Sequence, residues 1–150
     1  MKAQQIIAQA PLGAIIEFSN GQPKPPARFT RKLAAWENEN GTGQLTEKRT
    51  GEQPQFTLHI ASYTSNGIKI IEMFRTFSDT SRHDFTIMGI PDAGSFLVLR
   101  HRGTSQMEEL LHIAESQEAA ERWLADHHNP GAIIQQASPV LEPALYTTSR

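Results

Sequence analysis

The residues best suited to chemistry fall into two groups, one imidazole and one cationic. Six histidines (His59, His83, His101, His112, His127 and His128) could ligate a metal or move protons. None pairs with another at the i, i+2 spacing of a strand or the i, i+3/i+4 spacing of a helix that would aim two rings at one ion. No metal site is therefore expected. His59, His101 and His112 fall on expected strands and meet only if register brings them together; otherwise they are hydrogen-bonded imidazoles on a sheet face. The densest short polar cluster is Asp79, Arg82, His83 and Asp84. It has the groups for acid–base or anion chemistry, but a solvated hairpin loop is the simpler expectation. There is no G-x-S-x-G elbow, Gly41-Thr42-Gly43 lacks the strand-to-helix context of a phosphate loop, and the chain has no cysteine. Neither a catalytic residue nor a cofactor can be singled out.

The cationic group is more concrete. Lys24, Arg28, Arg31 and Lys32 lie within nine residues and are continued by Lys48 and Arg49. A helix flank carrying three cations behind a proline-rich loop makes a contact surface for a macromolecule. Charge is segregated along the chain: residues 24–50 hold six basic and three acidic groups, residues 106–150 two basic and seven acidic. Such segregation suits a binding or regulatory module steered onto a protein partner. DNA or RNA is the alternative, with the cations tracking phosphates, but a pI near 6.3 is low for a dedicated nucleic-acid binder. An enzyme whose site is assembled from distant residues is the third alternative. Arg100, His101 and Arg102 are expected to pair with Glu108 and Glu109 across a hairpin.

These groups need elements to hold them. Ala3, Ile6, Ile7 and Ala10 share one face of a short helix over 2–9, stopped by Pro11 to Gly13. A strand follows over 14–18. Residues 27–39 read as a helix entered through Pro25 and Pro26 and stopped by Asn40-Gly41, with Phe29, Leu33 and Trp36 on one packing face; a strand running into a Gly41/Gly43 hairpin is the alternative. Trp36 and Trp123 are expected to anchor the core. Strands are then expected over 44–49, 56–63, 68–77, 85–88, 95–102 and 108–114. Asn66-Gly67 is the clearest hairpin turn. Short connections predict an antiparallel meander. Ser116 caps a helix over 117–128, with Ala120, Trp123 and Leu124 inward and His127 and His128 at its negative end. Residues 132–135 return as an edge strand, the one place where a parallel pair is expected.

The fold class is thus α+β, a mainly antiparallel sheet of five to seven strands with an early basic helix and a late helix packed on it. The chain has 150 residues, net charge −2 and 38% hydrophobic residues, enough for one domain over 1–136 with a loosely ordered tail over 137–150. Nothing reads as a membrane span or a secretory leader, so a cytoplasmic location is expected. Ile133, Ile134, Val140, Leu141 and Leu145 predict that the C-terminal segment folds back or pairs in a homodimer.

Overall fold

The computed structural model describes residues 1–102 and 106–137, so the expected tail beyond residue 137, with Val140, Leu141 and Leu145, lies outside the described residues. The elements in chain order are α1 (Ala3–Gln9), β1 (Ile15–Ser19), α2 (Thr30–Glu39), β2 (Gly41–Arg49), β3 (Gln55–Ser65), β4 (Ile68–Ser78), β5 (Asp84–Gly89), β6 (Phe96–Arg102), β7 (Met107–Ala114), α3 (Gln117–His127) and β8 (Ala132–Gln136). The eight strands form one antiparallel sheet, so the α+β class holds with a slightly larger sheet than expected. No helix of the described residues is long and apolar enough to cross a membrane.

The order β4-β3-β2-β7-β6-β8 departs from a meander. One edge of β2 is divided: Gly41–Gln44 pair with β1, and Glu47–Arg49 pair with β7. β1 pairs on its other side with β5. Burial sets this arrangement rather than loop length. Folding β5 back onto β1 brings Phe85 within 5.0 and 5.1 Å of the rings of Phe77 and Phe56, and Phe18 joins them 5.2 Å from Phe77. The expected parallel pair does not form. β8 pairs antiparallel with β6, so β7 and β8 run the same way on either side of it. A βα excursion can skip one strand position because an intervening antiparallel strand satisfies both neighbours' ladders.

Two apolar layers cover the sheet. Ala3, Ile6 and Ile7 of α1 join Leu45, Leu58, Leu97, Leu99 and the phenylalanine group in the larger core. Val98, between those two leucines, points the other way and packs with Ala114 of β7 and Ala120 of α3. The uninterrupted apolar run Phe96–Leu99 is thus a strand buried on both faces. Ser116 caps α3 as expected, its Oγ accepting from Ala119 N–H at 3.1 Å. Asn66 and Gly67 both have positive φ, 54° and 77°, as the hairpin turn demands.

The end of α2 is built differently from expectation. Asn40 is extended at φ −143° rather than left-handed. Its side chain supplies the stop, Nδ2 donating to the Trp36 carbonyl at 2.8 Å while Oδ1 accepts from Asn20 N–H at 3.1 Å. Gly41 and Gly43 belong to β2 and serve close packing. A Cβ on Gly43 would sit 2.8 Å from Ile60 Cδ1 and 2.9 Å from Leu58 Cβ.

Candidate functional site

α2 does not pack as its apolar spacing suggests. None of its residues is buried: Phe29, at its N-cap, is 41% exposed, and Leu33 and Trp36 are half-buried. Trp36 is not a core anchor. Its indole N–H donates to the Gln22 carbonyl at 2.8 Å, and Lys24 lies 5.7 Å from its ring centre, so Trp36 closes on the helix's own entry loop. Arg28 and Lys32 flank the Phe29 ring at 4.8 and 5.2 Å. With Arg31 they are exposed, so Lys24, Arg28, Arg31 and Lys32 make a cationic platform in which Arg28 and Lys32 frame an exposed aromatic ring.

Charged contacts hold this platform at its far end. Arg75 of β4 donates Nη1 to the Asn38 carbonyl and Nη2 to Glu39 Oε1 at 3.1 Å, while His83 Nε2 lies 2.7 Å from the same oxygen. Partial burial works against ionisation of Glu39, but the hydrogen bonds from His83 and Arg75 outweigh it and hold the carboxyl below its ordinary range. Arg75 also lies over Phe77 and Phe18 at 5.0 and 6.0 Å, joining the clasp to the aromatic core. Glu39, Arg75 and His83 carry no local sequence signal, because the contacts span 36 and 44 residues. The polar loop that suggested acid–base chemistry is drawn apart: His83 goes to Glu39, and Asp84 pairs with Lys2 at 2.8 Å.

Lys48 and Arg49 do not join the platform. They lie at the other end of β2, seven or more residues and about 23 Å of strand beyond its first glycine. Lys48 Nζ donates to the carbonyl of Ala10 at 2.6 Å, closing the end of α1. Arg49 is half-buried opposite Gln55 and Met107.

The histidines are spread over the sheet. His59 lies against Phe74, 5.1 Å between ring centres, with Ser62 Oγ 2.9 Å away. His101 is 3.8 Å from Glu108, and Arg100 is 2.7 Å from Glu109, the cross-hairpin pairing expected for both. His112 stacks on Trp123, 4.9 Å between centres, and His127 stacks on the same indole at 4.0 Å. Trp123 is accordingly half-buried between strand and helix rather than a central core residue. His59 and His112 line a common groove of about 700 Å³ with Glu47, Thr57, Thr76 and Glu109. Its polar groups are largely engaged with one another: Thr57 Oγ1 is 2.8 Å from Thr76 Oγ1 and 3.5 Å from Glu47, and Glu109 is held by Arg100. Among the described residues no group of three or more His, Asp and Glu side chains is placed to hold a metal ion.

One family model, described as Uncharacterised conserved protein UCP036055, matches residues 1–139. The chain belongs to this family. The match runs from α1 through β8, so the family unit contains the whole sheet together with the α2 platform. No curated protein and no solved structure matches the chain.

Proposed function

We propose that the chain is a small binding module that engages a macromolecular partner, a protein with an acidic surface, through α2 and the loop before it. The observation that carries this reading is that α2 buries none of its residues, yet Trp36, Glu39 and Asn40 tie down its C-terminal end. A helix that adds little to the core but is held in place presents side chains outward. Four exposed cations give electrostatic steering, and Phe29, flanked by Arg28 and Lys32, gives an anchor that can be desolvated on contact. The loop over 22–27, with Pro23, Pro25 and Pro26, is already restricted and loses little entropy on docking. Nucleic acid is the second reading, favoured by the flanking of Phe29 by Arg28 and Lys32, an arrangement on which a base can stack.

Fluorescence anisotropy with two labelled probes separates these readings: a polyglutamate peptide containing aromatic residues, and a single-stranded oligonucleotide. Binding of the peptide at low salt, weakened by added salt and lost in Arg28→Ala/Arg31→Ala/Lys32→Ala, supports the protein reading. The triple variant keeps its fold because none of the three side chains is buried. Tighter binding of the oligonucleotide transfers the function to nucleic acid. Binding of neither probe at tens of micromolar protein, or binding unchanged in the triple variant, overturns both.

A further inference from the structure

The β3–β4 hairpin extends past the core as an arm whose two faces differ. Opposed residues of an antiparallel pair share a face, so register assigns each side chain. Tyr63 opposes Ile71, Ala61 opposes Met73 and Ser65 opposes Ile68, all on the side that carries Phe56 and Phe77 lower down. Ser62 opposes Glu72 and Thr64 opposes Lys69 on the other side, where Lys69 and Glu72 pair at 2.8 Å. The irregularity between Tyr63 and Thr64 leaves Ile70 as an extra residue in β4 and keeps Ile68 on the apolar side. Tyr63, Ile68, Ile70, Ile71 and Met73 are each between 53 and 68% exposed. A surface of this composition costs solubility unless something covers it.

We infer that a second copy of this chain covers it, the two arms packing face to face about a two-fold axis. Area supports this: Tyr63, Ile68, Ile71 and Met73, with the bulged Ile70 at their edge, present on the order of 500 Å² of apolar surface, at the upper end for a monomer, and closing two copies buries about 1,000 Å², the threshold of a specific interface. Charge supports it too. Between Ala61 and Met73 this face has no ionisable group other than the Tyr63 phenol, because Lys69 and Glu72 lie on the reverse and neutralise each other. An uncharged face meets its own copy without like-charge repulsion and offers a foreign protein no charge pattern to select. Packing uses the faces rather than the β4 edges, because the extra residue at Ile70 and the Lys69 side chain blunt edge pairing. The two sheets then lie about 10 Å apart.

Sedimentation equilibrium of the full chain tests the interface. The expected result is a dimer mass in the micromolar range, reduced to the monomer mass by Ile71→Asp and unchanged by Glu72→Gln on the opposite face. Both positions are exposed, and circular dichroism checks that the fold is kept. Because the chain has no cysteine, Thr64→Cys on the polar face accepts one spin label per copy and leaves the apolar face intact. Dipolar coupling between labels is expected in the dimer. A monomer at hundreds of micromolar, a dimer indifferent to Ile71→Asp, or absence of coupling overturns the inference.

Discussion

Arg75 of β4 and Glu39 at the end of α2 stand 3.1 Å apart, and His83 approaches the same carboxylate at 2.7 Å. This clasp fixes an otherwise unburied helix against the sheet. Glu39→Gln removes the charge that both partners share. Because the carboxylate is over a third exposed, the expected cost to global stability is only about 1 kcal/mol or less. The local effect is larger: amide exchange in α2 should accelerate while the core strands keep their protection. With the folded-state pKa lowered, the wild-type clasp is complete above the ordinary value of 4.5 and is lost as pH falls through the depressed value. Equal exchange rates in α2 of variant and parent would show that the clasp does not hold the helix.

Trp36→Phe keeps an aromatic ring but deletes the indole bond to the Gln22 carbonyl. A loss of about 1 kcal/mol is expected, well below the roughly 3 to 5 kcal/mol of a truncated core tryptophan. The entry loop should loosen, and limited trypsin digestion should cleave after Arg28 faster than in the parent. A destabilisation of core size would instead return Trp36 to the interior.

The Phe29, Leu33 and Trp36 spacing shows what was legible and what was not. Periodicity correctly reports a helix with one apolar side, but it is silent on what covers that side, and here a loop from the same segment meets Trp36 while Phe29 stays exposed. Strand positions, the Asn66-Gly67 turn and the Ser116 cap were readable because each depends on neighbours in sequence. Strand order was not, since pairings such as β1 with β5 follow from packing Phe85 on Phe56 and Phe77. The cationic cluster was readable as charge, while its division into an exposed platform and a helix-closing Lys48 depended on tertiary contacts.

Lys48 supplies a test of that division. Lys48→Met keeps the aliphatic stem but withdraws the ammonium from the carbonyls of Ala10 and Ile7, 2.6 and 3.4 Å away. Leaving partly buried acceptors without a charged donor should cost about 1 to 3 kcal/mol in urea denaturation. Binding of an anionic probe should be unchanged in the variant at temperatures where it is folded. Reduced binding without a loss of stability would place Lys48 in the contact surface after all.

Gly43 tests why β2 begins with glycines. Its new methyl group in Gly43→Ala would meet Leu58 Cβ and Ile60 Cδ1 inside 3 Å, and the His59 carbonyl oxygen at 3.0 Å. Rigid neighbours on one strand cannot all withdraw, so overpacking of about 1 to 3 kcal/mol is expected. Gly67→Ala meets no atom within 4 Å but forces alanine to φ 77° and should be penalised through the backbone instead. Thermal melts of the two variants distinguish the causes when paired with Asn at each position: Asn should relieve part of the cost at 67, where a left-handed residue is required, and worsen it at 43.

The last test concerns His112, which joins β7 to α3 through its stack on Trp123. Burial lowers its pKa from 6.5, and the nearby His127 charge lowers it further. The folded protein therefore prefers the neutral ring, while the unfolded chain takes up its proton near the ordinary value. As pH falls through 6.5 the unfolded state binds more protons, so stability declines, and the decline ends once the folded-state ring is protonated as well. Most carboxylates titrate below about pH 5.5, which leaves the window between that and about pH 7 to test the His112 shift. His112→Phe preserves a ring against Trp123 and removes one titrating group. Unfolding free energies from urea titrations across that window should fall less steeply for His112→Phe than for the parent; parallel curves would mean that the ring carries the same proton affinity folded and unfolded, against the burial seen beneath α3.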